Sequence, residues 1–326
     1  MSQVTFSPPF TAASNIAHDL REQGYAVLAP ADVARWIGCE VLDLMALNSD
    51  WTTLPADDFL RDGGRYRRRR HACFVVHGGQ VQQVPHRAHW QPVEYNALHG
   101  GMERWFAPME PATIAKPVWQ RLVTALTGVC DAVFLHSAHV PSHAPGQAPG
   151  PTPSQAVASA ASAASAASAS TSSGSRSSDL CPSDSCSGDA SGSFTAAPAS
   201  AAQATWFVEA HQFRIDTTDG IGRPTPEGAH RDGVDLVAVF LIGREGVKGG
   251  ETRVFEASGP NGQRFTLTQP WSLLLLDDAR MIHESTPIQP LTECGHRDTL
   301  VVTCRRHSFQ GAHAAAAVQA SLLVDG

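Results

Sequence analysis

The chain has 326 residues, 42% of them apolar, with a formal net charge of −7, values that suit a soluble globular protein of one large or two ordinary domains. The acidic balance argues against a protein built mainly to hold phosphate backbones, which needs a basic excess. No uninterrupted apolar run reaches membrane-spanning length, and the N-terminal stretch lacks the basic head and apolar core of a secretory signal.

In chain order, "NIAHDLREQG" has the spacing of an amphipathic helix ended by glycine, followed by a short strand, "YAVLAP". "ADVARWIGCEVLDLMALNSDW" repeats its apolar residues at helical spacing and predicts a second helix. "HACFVVHGG" and "VQQVPHRAHWQPVEYN" read as two strands joined at a Gly-Gly turn, and "KPVWQRLVTALTGVCDAVF" as another amphipathic helix. From Pro141 to Ala204 the chain is nearly all Ala, Ser, Pro and Gly. Such a segment has almost nothing to bury against the entropy of ordering, so it is expected to be a disordered insertion. Beyond it come short strands punctuated by turn residues: "TWFVEAHQFRIDT", "DLVAVFLIG", "GGETRVFEA", "QRFTLTQ", "WSLLLLDD" and "DTLVVTCRR". Helices and first strands over 1–140, an insertion over 141–204 and a β-rich half over 205–326 make an α+β chain with a barrel or double-sheet jelly roll.

Seven cysteines, Cys39, Cys73, Cys130, Cys181, Cys186, Cys294 and Cys304, are odd in number and form no zinc-finger pairs. That usage fits thiols in a reducing cytoplasm better than a disulfide framework.

The chemistry concentrates in "EGAHRDGVDLV", where His230 and Asp232 stand two apart at the start of an apolar strand. Residues two apart on extended backbone share a face, so an imidazole and a carboxylate can converge on one point. His283, after the apolar run "LLLLDD", offers a third ligand, and two histidines with one carboxylate is the facial triad of non-haem Fe(II) oxygenases. Spacing alone leaves the choice open, because His211, His296 and His307 compete for the third place. The run "RYRRRRH" would alternate its arginines between faces on a strand. Without aromatic interleaving it makes a poor nucleic-acid platform, and one of its arginines, with Gln212 or Arg214, can instead reach inward to grip a substrate carboxylate.

Taken together, "HQFRI", "PTPEGAHRDGVDLVAVFLIG", "KGGETRVFE", "LLLLDDARMIHESTPI", "RDTLVVTCRR" and the earlier "RDGGRYRRRRHACF" resemble the bacterial Fe(II)- and 2-oxoglutarate-dependent dioxygenases that include the free L-isoleucine hydroxylases. The resemblance spans roughly residues 15–135 and 205–310 and finds no counterpart for the Ala/Ser-rich segment. It implies a double-stranded β-helix (jelly-roll, cupin-like) core flanked by N-terminal helices. It implies His230, Asp232 and His283 as Fe(II) ligands, with 2-oxoglutarate and O₂ as cosubstrates and ascorbate as an aid in vitro. Arg297 would hold the far carboxylate of 2-oxoglutarate, with Thr299 two residues on adding a hydroxyl, and Arg305 or Arg306 as rivals on the same strand. The implied activity is hydroxylation of an aliphatic C–H in a free L-amino acid. A small-molecule substrate is thus expected, with neither nucleic acid nor membrane as partner. The alternative is a non-catalytic cupin-like protein that binds or senses a metal or small molecule.

Overall fold

The computed structural model describes residues 6–135 and 204–311. The Ala/Ser-rich stretch up to residue 203, with Cys181 and Cys186, lies outside the described residues.

The chain opens with helix α1 (Ile16–Gln23), strand β1 (Tyr25–Leu28) and helices α2 (Pro30–Ile37) and α3 (Val41–Met45). The single helix expected after β1 is therefore two. Gly38 takes a left-handed φ of 75° and its N–H caps α2 on Ala34, after which the Asp43 carboxylate accepts the Glu40 N–H and starts α3 in a new direction. Strand β2 (Arg67–His77) turns through Gly78 and Gly79 into β3 (Gln80–Gln83). The second strand expected here is much shorter than its sequence suggested. Pro85 has no N–H to give a ladder, and the chain runs on as an irregular segment whose pairing is limited to bridges such as His89 with Arg104 and Pro108 with His71 of β2. Helices α4 (Pro111–Ile114) and α5 (Pro117–Cys130) follow. By length and composition, residues 117–135 are apolar enough to cross a membrane. Trp119, Leu122, Val123, Leu126 and Cys130 are instead buried in the protein core.

The remaining strands are β4 (Thr205–Asp216), β5 (Leu236–Glu245), β6 (Val247–Gly249), β7 (Thr252–Glu256), β8 (Gly262–Phe265), β9 (Leu273–Asp277), β10 (Met281–Ser285), β11 (Ile288–Pro290) and β12 (His296–Arg306). They form mostly antiparallel sheets: seven strands in the order β1-β9-β5-β12-β4-β2-β3, three as β10-β7-β8, and the ribbon β11-β6. β2 pairs with β4 along its whole length, so residues from either side of the Ala/Ser-rich segment build one sheet.

Alternation along the strands gives the large sheet two different faces. Phe74, Val208, Ala238, Phe240, Leu275 and Leu300 point to the side covered by the helices and make the main core with Trp51 and Trp119. On the other side, Val237, Leu241, Leu274 and Leu276 meet Val254 of β7, Phe265 of β8 and Met281 of β10, so the small sheet packs over one half of that face. Over β2, β4 and β12 the same face carries polar residues, and there the cavity lies.

Candidate active site

His283 sits in the middle of β10, and His230 lies opposite it in the segment entering β5. Each backbone N–H donates to the other's carbonyl, at 3.1 and 3.0 Å. Directly opposed residues of an antiparallel pair project to the same side, and the two imidazoles lie 4.6 Å apart. Asp232 completes the group: Oδ1 is 3.8 Å from His230 Nε2 and Oδ2 is 3.9 Å from His283 Nε2. One atom from each of the three lies within 4.8 Å of the others, close enough to hold a metal ion. His230 Nδ1 is 2.9 Å from the Gly228 carbonyl, which can only accept, so Nδ1 carries a proton and Nε2 is the atom offered to a ligand. Burial opposes a charge on this ring, but Asp232 and Glu227 more than offset it and raise its pKa. Burial holds His283 well below the ordinary imidazole range, with the neighbouring His230 acting in the same direction, and so keeps it in the neutral form a metal requires.

The loop bearing Asp232 is fixed from below and from the side. Asp278, in the turn after β9, accepts the backbone N–H groups of Asp232, Gly233 and Val234 at 2.9, 2.7 and 3.1 Å. Burial, with the charge of Asp232 beside it, pushes the Asp278 carboxyl up to about 7. Gln310 Nε2 donates to the carbonyls of Asp232 and Gly233, both at 2.9 Å, and Gln91 Nε2 donates to Asp232 Oδ1 at 3.0 Å. Gly233 has a φ of 75°, and a Cβ there would stand 2.6 Å from the Tyr95 ring, so only glycine fits both the turn and the contact.

A cavity of about 120 Å³ opens over these residues. Its floor includes Glu209, His211 and Phe213 of β4, Val301, Thr303 and Arg305 of β12, and Arg69 of β2, every one an odd-numbered position facing the same way. The alternation expected of the arginine run is therefore present: Arg67 and Arg69 are buried and Arg68 is exposed. A plain surface strand would not do this. Arg69 lies between the rings of Phe106 and Phe213 and donates to His211 Nδ1 at 2.8 Å, while Arg67 pairs with Asp57 at 2.6 Å.

Arg297 and Thr299 share this face, farther along β12, and both are buried. Arg297 Nε has no hydrogen-bond partner, and the side chain makes no ion pair among the described residues. Burial, with Arg244 nearby, pulls its pKa down to about 10. A buried guanidinium left unpaired is costly unless an anion is meant to meet it. Gly250 leaves room beside it, since a Cβ there would meet Ile288 at 3.0 Å and Arg297 Cδ at 3.4 Å.

The structure does not bring Gln212 and Arg214 to the cavity. Their even-numbered positions put them on the opposite face of β4, where Arg214 holds Asp298 through two hydrogen bonds of 2.8 and 2.7 Å. Of the rivals to Arg297, Arg306 is taken by Asp235 at 3.0 and 2.7 Å, whereas Arg305 lines the cavity. Among the rival histidines, His296 lies 3.6 Å from Asp298, His307 is exposed, and His211 belongs to a second buried group with His71, His89 and Glu209. That group, together with Gln91 and Asp278, escaped the sequence reading. The signal for part of it is His71, Glu209 and His211, polar at odd positions where the even neighbours Ala72, Phe74, Val208 and Ala210 are apolar.

Two imidazoles and one carboxylate converging beside a cavity are the ligand types of the non-haem iron oxygenases. The 2OG-Fe dioxygenase family model matches residues 48–144 and 190–303, and the chain belongs to that family of Fe(II)- and 2-oxoglutarate-dependent enzymes. A bsmA homolog (Mpe_A2762) from Methylobium petroleophilum PM1 is similar at 39% identity and a TM-score of 0.69, over 95% of this chain and 99% of that one. IDO from Bacillus thuringiensis shares the fold at 14% identity and a TM-score of 0.58, over 90% and 99% of the two chains. The Fe(II)/(alpha)ketoglutarate-dependent dioxygenase TqaL does so at 16% identity and a TM-score of 0.56, over 93% and 89%. No curated protein matches the chain.

Proposed function

We propose that this dioxygenase hydroxylates an aliphatic C–H of a free L-amino acid, on a jelly-roll framework interrupted by the 141–204 insertion, in a reducing cytoplasm. His230, Asp232 and His283 are its Fe(II) ligands; the observation that carries the reading is their convergence on the sheet face that also holds the unpartnered Arg297. Fe(II), 2-oxoglutarate and O₂ supply the oxidising chemistry, with succinate and CO₂ as coproducts.

The protein's part is binding and orientation. Gly228 fixes the His230 tautomer, and Gln91 and Asp278 fix Asp232. Arg297 would hold the far carboxylate of 2-oxoglutarate, for which a guanidinium is suited, with the Thr299 hydroxyl on the same face as a further donor. The small volume and the apolar walls Phe207, Val234, Val301 and Phe309 favour a compact hydrocarbon group. The resemblance to the free L-isoleucine hydroxylases points the same way.

The test is to mix the protein anaerobically with Fe(II), ascorbate, 2-oxoglutarate and pooled L-amino acids, admit air, and follow succinate and mass. The expected result is succinate with one amino acid heavier by one oxygen. Succinate with every amino acid unchanged would remove the amino-acid assignment.

A further inference from the structure

Glu209 is the most unusual group that the iron site leaves unused. It is a carboxylate only 7% exposed, on the cavity floor, with both oxygens accounted for differently. Oε2 faces three imidazoles: His89 Nδ1 at 2.6 Å, His71 Nε2 at 3.3 Å and His211 Nε2 at 3.8 Å. Oε1 takes no hydrogen bond among the described residues. Burial would push Glu209 up, but His89 and His71 more than offset it and hold the carboxyl below its usual range. The imidazoles stay neutral, with burial bringing His89 down to about 4.

Four such residues suggest a second metal, but the ring geometry opposes it. Arg69 can only donate to His211 Nδ1, so the ring proton of His211 is on Nε2, the atom facing Glu209. The His71 and His211 rings also stack, with centroids 4.5 Å apart and 15° between planes. Imidazole ligates in its own plane, and two stacked rings cannot both aim at one ion. The arrangement instead presents an anion with one oxygen held and the other free.

A cation without a partner stands next to it. Across β4 and β12, Glu209 faces Thr303 and Phe207 faces Arg305, so Glu209 and Arg305 are diagonal neighbours on one face. Diagonal neighbours are about 7–8 Å apart at the backbone, within reach of long side chains. Arg305 lines the cavity and its side chain makes no hydrogen bond or ion pair among the described residues. The other cavity arginines are engaged, Arg69 with His211 and Asp57, and Arg104 with Gln91.

We propose that Glu209 and Arg305 form a zwitterion clamp: Glu209 Oε1 accepts N–H bonds from the ammonium of an α-amino acid while Arg305 donates to its carboxylate. The three histidines are positioning residues that fix the Glu209 carboxylate. The proposal rests on the amino-acid reading above and names the residues that select for both charges.

The test uses full-length protein with Mn(II) in place of Fe(II) and saturating 2-oxoglutarate. Each common L-amino acid is titrated calorimetrically; for each that binds, the matching 2-hydroxy acid and the matching amino-acid carboxamide follow. Wild type should bind the hydroxy acid and the carboxamide each at least about tenfold more weakly, as expected when a charged hydrogen-bond partner is lost. Glu209→Gln should bring the hydroxy acid to within threefold of the amino acid, and Arg305→Met should do the same for the carboxamide. Wild type that does not distinguish the three ligands overturns the clamp, as does a variant that keeps full discrimination. Should Glu209→Gln fail to fold, the wild-type comparison and Arg305→Met still decide. If no amino acid binds while the Fe(II) enzyme makes succinate from 2-oxoglutarate, the clamp falls and the oxygenase stands; if 2-oxoglutarate itself does not bind, the proposed function fails instead. A second equivalent of transition metal, lost in Glu209→Gln and kept in Asp232→Asn, would also overturn the clamp.

Discussion

Replacing Asp278 with alanine tests whether the metal loop is held from beneath. Three backbone N–H groups, of Asp232, Gly233 and Val234, end on this one carboxyl at 2.7–3.1 Å. Asp278 is 2% exposed, and water entering the space left would recover only part of what is lost. A buried donor left without its acceptor costs roughly 1–3 kcal/mol, so three of them, partly rehydrated, should cost about 3 kcal/mol. Urea unfolding of the apo protein measures that loss as a lower midpoint at unchanged slope. Mn(II) affinity should fall as well, by about 10–100-fold, as when a residue orienting a ligand is removed. Asparagine should lie between: its carbonyl can keep the two bonds at Oδ2, but its amide then faces the Asp232 N–H, donor to donor. An alanine variant within about 0.5 kcal/mol of wild type and with unchanged Mn(II) affinity would refute the support argument.

Two further outcomes follow from buried groups. Arg297→Met should abolish most 2-oxoglutarate binding, at least tenfold by calorimetry, without lowering the melting temperature of the apo protein, because it removes a buried cation that has no partner; undiminished binding would move the anchor elsewhere on β12. Acid should destabilise the protein through His99, which is fully buried and accepts the Arg61 N–H at Nε2. Burial, with Arg67 and Arg104 nearby, brings its pKa down to about 4 from 6.5. Between those values the unfolded chain binds a proton that the folded one refuses, so stability is full above pH 6.5 and falls towards pH 4, by about 3 kcal/mol from this residue. Urea titrations at a series of pH values should show that slope, and His99→Gln should flatten it; an equal slope in the variant would assign the acid sensitivity to other groups.

Much of the site was legible because its ligands are local. His230 and Asp232 stand two apart on extended backbone, and His283 follows the most apolar strand of the chain. What the sequence concealed was partnership over distance. Nothing in "HQFRI" says which parity of β4 faces inward, since Trp206 and Phe207 are both large and apolar, and Asp298, which claims Arg214, lies 84 residues away. The stretch after β3 read as the continuation of a strand, yet it runs irregularly and delivers His89, Gln91 and Arg104 to the cavity. Its prolines and irregular backbone leave no pattern to extrapolate. Gly24 ends its helix where the sequence placed the stop, whereas Gly38, inside a stretch that read as one helix, ends α2 with the same left-handed backbone.

The odd-numbered face of β2, β4 and β12 has one more consequence. The strands work like a text read in a fixed frame: a single inserted or deleted residue in β4 would turn Glu209, His211 and Phe213 away and present Ala210, Gln212 and Arg214 in their place. Point changes are a different matter, because an odd position such as Glu209 or Val301 can be respelled while even neighbours such as Val208, Ala210, Leu300 and Val302 stay locked into the helix-covered core. Such a chain can drift between substrates by substitution at a few letters, but length changes are confined to where no ladder runs.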